Sequence, residues 1–154
     1  MKYYLLFIFF IFLEKAPFTW VDQKDGKPNN SNGIDLIINN IRNKTGVLQI
    51  GVFDSEAGYP DKPVFSFTLA KDTISSGKLR VFIPLKNQCN IGITVLDDEN
   101  RNKKMDFVFG IKPREGFGFS NNPVVPGRKP PPFSETKIEY AGGRLKLSIN
   151  MKYV

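Results

Sequence analysis

From Ile34 onward, apolar side chains alternate with polar ones instead of recurring every third or fourth residue. Ile34, Leu36 and Ile38 share one parity, as do Leu48, Ile50 and Val52, then Phe65, Phe67 and Leu69, then Leu79, Val81, Ile83 and Leu85. Cys89, Ile91, Ile93 and Val95 form the cleanest set, with Asn90, Gly92 and Thr94 on the opposite face. A short run at Thr136–Tyr140 precedes the last set, Leu145, Leu147, Ile149 and Met151. Period two with one dry face predicts half-buried antiparallel strands. Asn43-Lys44-Thr45-Gly46, Ser75-Ser76-Gly77 and Ala141-Gly142-Gly143 supply turn chemistry, and the last two links are short enough to predict hairpins. Roughly seven strands at this spacing predict an all-β fold, an antiparallel two-sheet sandwich. No window of helical length sustains a 3.6-residue period, and no internal repeat is present. Cys89 falls on the dry face of its strand and reads as a small core residue, with no flanking base or cation to activate it.

Three segments depart from the alternation. Tyr3 to Leu13 is an unbroken apolar and aromatic run behind Lys2. As a helix it would span roughly 16 Å, about half a hydrocarbon core, which is too short to cross. A basic start followed by such a run predicts an export signal over residues 1–20, although Glu14-Lys15-Ala16-Pro17 lacks a small-x-small cleavage pattern. The domain would then be periplasmic or extracellular, with no stable membrane span once the signal is removed. Asp22–Gly33 has no apolar side chain and cannot repay its ordering entropy by burial, so residues 21–33 are expected to be a flexible leader and residues 34–154 a single domain.

The third departure is a long loop over residues 97–133, where a connection of such length in a compact domain is usually functional or disordered. Its phenylalanines, 107, 109, 117, 119 and 133, argue against disorder. Counting from Asp98, oxygen-bearing side chains fall at positions one, three, five and nine: Asp98, Asn100, Asn102 and Asp106. That spacing wraps ligands around one calcium ion. Position six, normally Gly, is Lys103; position twelve, normally Glu, is Phe109; and Lys103 and Lys104 add positive charge beside the expected ion. The same residues also suit a polar turn in which Asp and Asn satisfy their own backbone amides. Downstream, Gly116-Phe117-Gly118-Phe119 allows a close backbone approach on one side and two rings on the other. Pro123, Pro126 and Pro130–Pro132 then stiffen an extended return path.

Composition narrows the chemistry. The 154 residues include no His and one Cys, so no His-based nucleophile system, imidazole metal site, intramolecular disulfide or thiolate zinc cluster can be built. Net charge is +7, but the cations are spread along the chain, Lys103-Lys104 and Arg128-Lys129 being the longest runs, and no nucleic-acid-binding motif is present. Attraction to an acidic envelope surface or polysaccharide accounts for the same sign of charge.

The stretch LDDENRNKKMDFVFGIKPREGFGFSNN resembles the signature of the bacterial DUF2141 family, in which an aspartate-glutamate-asparagine run, a further asparagine and aspartate, and a glycine-phenylalanine-serine-asparagine segment recur. TGVLQIGVFD is similar to that family's early strand, and the likeness spans about residues 34–152. The resemblance implies an export signal and a transthyretin-like or immunoglobulin-like sandwich, with no established activity. The family commonly has His where Asp97 stands and Gly where Lys103 stands.

Three functional expectations follow. The first is a non-catalytic envelope module that binds a protein or polysaccharide partner through the loop, with Phe117 and Phe119 as apolar platforms, Lys112 and Arg114 as anion contacts and Glu115 as a fixed carboxylate. The alternative is a calcium-stabilised domain using Asp98, Asn100, Asn102 and Asp106. The lesser alternative is a hydrolase working through a carboxylate pair drawn from Asp98, Asp106 and Glu115, although nothing in the pattern singles out a pair.

Overall fold

The computed structural model describes residues 32–126 and 129–154, and in it the alternating runs form two sheets enclosing one core. The expected export signal and residues 21–31 of the expected leader lie outside the described residues. In chain order the elements are β1 (Gly33–Asn39), β2 (Val47–Phe53), β3 (Phe65–Ala70), β4 (Leu79–Pro84), β5 (Cys89–Asp98), β6 (Phe107–Val108), β7 (Lys112–Pro113), β8 (Gly116–Phe119), α1 (Phe133–Thr136), β9 (Ile138–Tyr140) and β10 (Arg144–Asn150). The first sheet has the order β10-β1-β4; the second has β3-β2-β5-β8, with β9 pairing the start of β5.

This is the expected all-β sandwich, with one refinement. Every pair in the second sheet is antiparallel, but β1 and β10 run parallel, from Gly33 opposite Arg144 to Asn39 opposite Asn150. Alternation reports which face of a strand is dry and carries no information on the direction of its neighbour. The two links read as hairpins are corrected for a related reason. Ser75 and Lys78 do close a tight reversal, their amides and carbonyls exchanging hydrogen bonds of 3.1 and 2.9 Å. The strands on either side nevertheless part, β3 to the second sheet and β4 to the first. Likewise β9 joins β5 while β10 joins β1 across Ala141-Gly142-Gly143. Turn residues specify that the chain reverses; the sheet that receives the next strand is decided by burial of its apolar face.

The inward parity of each run is dry. Ile34, Leu36 and Ile38 of β1 face Leu48, Ile50 and Val52 of β2 across the core, all fully buried. Each such side chain contributes about 1.5–3 kcal/mol on removal from water. Cys89 packs half-buried against this cluster, and burial raises its thiol pKa, in keeping with a core role.

Residues 97–133 are not one irregular loop. They contain the small β6–β7 hairpin, and β8 is a full member of the second sheet, paired to β5 from Leu96 opposite Phe117 to Thr94 opposite Phe119. A four-residue strand offers too short an alternation to be read from sequence, which is why this segment was expected to be a loop.

Candidate functional site

β8 sits where the two sheets meet. Its glycines face inward and its phenylalanines outward, because successive side chains of a strand point to opposite faces. A Cβ on Gly116 would lie 2.2 Å from the Tyr153 ring, and one on Gly118 would lie 2.5 Å from Ile149 Cγ2. The absent side chains therefore let β8 approach the end of β10, and Phe117 and Lys152 exchange backbone hydrogen bonds of 3.0 and 2.8 Å. The close approach expected from the Gly-Phe alternation is thus made to the chain's own C-terminal segment.

On the other side, Phe117 and Phe119 lie 5.9 Å apart between ring centroids and line an open cleft of about 500 Å³ on the outer face of the second sheet. Thr94 and Leu96 share this face, and Lys103, Lys104 and Lys129 stand around it, with Asp61 the one lining carboxylate among the described residues. The volume is within the usual 300–1,000 Å³ of ligand sites. Of the expected binding residues, only Phe117 and Phe119 line the cleft. Lys112 is exposed on β7, and the Arg114 carbonyl accepts from Arg42 Nη2 at 3.1 Å. Glu115 is corrected from a surface contact to an internal fastening. It is 2% exposed, and its two carboxylate oxygens accept the backbone N–H groups of Glu99 (3.0 Å) and Asp106 (3.3 Å), buckling the two ends of the polar turn.

Within that turn, Asp98 accepts the N–H groups of Asn102 and Lys103 at 3.0 and 2.9 Å and the Gln49 side-chain amide at 3.2 Å. Asn100 Oδ1 accepts the backbone N–H of Asn102, and Asn102 Oδ1 accepts that of Lys104, both at 3.0 Å. These bonds fix both amides so that their Nδ2 groups point at Asp106 Oδ2, at 2.6 and 2.8 Å. Arg101 and Lys103 adopt left-handed backbone (φ 62° and 64°), so position six makes its sharp turn without glycine. The turn has the wrap a calcium loop needs, but the donor set does not fit the ion. Asp106 Oδ2 is occupied by the two amide donors, and both Asp98 oxygens accept backbone N–H groups. Asp98, Asn100, Asn102 and Asp106 are brought together as a self-satisfied polar turn.

Beneath the turn is a feature absent from the expectations above. Lys71 (1% exposed) and Asp97 (0%) form an ion pair inside the sandwich. Lys71 Nζ also donates to Thr45 O at 2.7 Å and Asn43 Oδ1 at 3.2 Å, and the Tyr153 hydroxyl donates to Asp97 Oδ2 at 2.6 Å. Burial and the adjoining carboxylate push the Tyr153 hydroxyl pKa far up, so it remains a donor. Above this cluster the Arg42 guanidinium grips Glu99 with two bonds of 2.7 Å and stacks 4.6 Å from the Tyr153 ring.

Two carboxyls of the turn respond oppositely to acid. The Arg42 pair holds Glu99 below its ordinary value, so its contribution to stability is present above the usual carboxylate range and fades as pH falls through the lowered pKa. Burial raises Glu115 against the pull of its two amide donors, with Asp106 and Asp98 adding repulsion. The folded state therefore holds that proton more tightly, and this group's contribution is present at low pH and lost as pH rises through the raised pKa.

The fold and site together define an all-β sandwich module with a fastened polar turn and one aromatic cleft. Its sequence matches the family model DUF2141, described as an uncharacterized protein conserved in bacteria, over residues 36–148, and the chain belongs to that family. No curated protein and no solved structure matches it.

Proposed function

We propose that the chain is an exported, non-catalytic binding module of the bacterial envelope, and that its cleft takes an anionic polysaccharide. The observation that carries this reading is the cleft itself: the half-buried Phe119 ring beside the more deeply set Phe117, three lysines around it and, among the described residues, a single carboxylate. Sugar rings offer apolar faces to stack on the aromatics, while their carboxylates meet the lysines. The carboxylates considered for hydrolysis support the non-catalytic side, since Glu115 is closed over by two backbone amides and Asp98 by three donors. Export is supported by the basic start and apolar run at residues 2–13.

Calorimetric titration with polygalacturonate tests the reading. The unmodified chain is expected to bind, Phe119→Ala and the pair Lys103→Glu/Lys104→Glu each to weaken binding about tenfold or more, and raised salt to weaken it further. Equal affinity for all three proteins, or no heat from any, would contradict it.

A second reading, calcium stabilisation, has in its favour the left-handed backbone at Arg101 and Lys103. With the turn satisfied by its own amides, melting in calcium and in chelator should coincide. A clear rise in calcium would instead favour the ion, by preferential binding to the folded state.

A further inference from the structure

The β6–β7 hairpin carries a second feature: Phe107 and Pro113 at its base line the cleft, whereas Val108–Ile111 at its tip do not. Its reversal is a tight turn in which Ile111 N–H donates to Val108 O at 3.1 Å, with Phe109 (φ 51°) and Gly110 (φ 66°) at the two central positions. Both central residues of such a turn need left-handed backbone, a requirement met best by Asn-Gly or Asp-Gly. A phenylalanine there is conformationally unfavourable, and it gains nothing from the core in return: Phe109 is 95% exposed, Ile111 69% and Val108 41%. Strain spent on displaying an aromatic side chain points to a use for the display.

Charge around the tip selects the occupant. Between Arg101 and Arg114 the chain carries five cations, Arg101, Lys103, Lys104, Lys112 and Arg114, against one carboxylate, Asp106, which is covered by the amides of Asn100 and Asn102. The tip is apolar and exposed, and the exposed Lys112 and Arg114 follow it in the chain. An exposed apolar tip suits a soft apolar layer, and basic side chains beside it keep their heads among negative charges while their stems lie on apolar surface.

We infer that the hairpin tip Val108–Ile111 inserts into the interface of an anionic lipid bilayer, with Lys112 and Arg114, both exposed and outside the cleft lining, on the headgroups. The contact is shallow and reversible, consistent with one small apolar loop supported by a few basic residues. It would hold the module against a membrane surface while the cleft remains open.

The test places a reporter at the tip. Phe109→Trp, made together with Trp20→Phe in the full chain, leaves one tryptophan on the hairpin. On addition of phosphatidylglycerol vesicles its emission should shift to the blue, with little change for phosphatidylcholine vesicles and reversal at high salt. Phe109→Asp/Ile111→Ser should weaken the tip-dependent part of vesicle binding about tenfold or more, while leaving polygalacturonate binding unchanged and not lowering the melting temperature, since Asp-Gly suits the turn. Lys112→Glu/Arg114→Glu should remove the preference for anionic vesicles. An unshifted tryptophan in anionic vesicles would overturn the inference, as would an equal shift in neutral ones. Either result would leave the cleft reading standing.

Discussion

Asp97→Asn is expected to lower the stability of the domain by about 3–5 kcal/mol, because it leaves the Lys71 ammonium buried without its counter-charge. For a domain of this size that is a fall in melting temperature of roughly 10–20 °C. The loss should spread beyond the pair. Tyr153 would lose its charged acceptor, and Lys71 also ties down the Thr45 carbonyl and the Asn43 side chain. Lys71→Met should cost a similar amount by stranding the carboxylate. The double variant Lys71→Met/Asp97→Leu should be clearly more stable than either single variant, since two desolvated charges are replaced by apolar volume. Its recovery should be partial, because Thr45 O and the Tyr153 hydroxyl then lose partners. Chemical denaturation of the four proteins checks this; a single variant within 1 kcal/mol of the unmodified chain would show that the pair is hydrated rather than dry.

The second large effect is expected at Gly46. Its backbone lies at φ 77°, and a Cβ there would sit 2.2 Å from Asp98 O and 2.4 Å from Glu99 Cα. Both obstacles are main chain, so no side chain can swing aside. Gly46→Ala combines a left-handed backbone penalty of about 1–2 kcal/mol with overpacking that typically costs 1–3 kcal/mol, and it pushes on the residues where β5 enters the polar turn. A loss of about 3 kcal/mol or more is expected in the same denaturation experiment. Gly110→Ala, also at positive φ but with nothing within 4 Å of its added methyl, should lose only the backbone part. Equal losses at the two sites would mean that the contact with Asp98 is not tight.

The buried cluster was written into the alternation, though it went unread there. Asp97 continues the parity of Cys89, Ile91, Ile93 and Val95; Lys71 continues that of Phe65, Phe67 and Leu69; Tyr153 continues that of Leu147, Ile149 and Met151. Each strand, extended by one inward step, ends on a residue of the cluster. A charged residue on a dry parity looks like the end of a strand, and only the meeting of two opposite charges from different strands shows that the dry face goes on. The ion pair with Lys71 gives Asp97 a structural task in this chain.

The sandwich was legible because period two is a strong local signal. Direction and sheet membership were not, since β1 and β10 pair in parallel across more than a hundred residues of sequence. In the polar turn the residue types suit either metal ligands or amide caps. The orientation of Asn100 and Asn102, fixed by the N–H groups of Asn102 and Lys104, is a three-dimensional fact that favours caps. Proximity in sequence to Phe117 and Phe119 is the one signal that groups Lys112, Arg114 and Glu115 into a binding surface. The lysines that reach the cleft are instead Lys103 and Lys104, brought there by the fold of the turn, and Lys129 from the return path.

The most direct test of the binding account is to follow backbone amide chemical shifts of the full chain during titration with polygalacturonate. The account predicts movement concentrated at Thr94, Leu96, Lys103, Lys104, Phe117 and Phe119, saturating with ligand and suppressed by salt. Shifts confined to the opposite sheet, β10-β1-β4, or a spectrum that does not change at all, would contradict it.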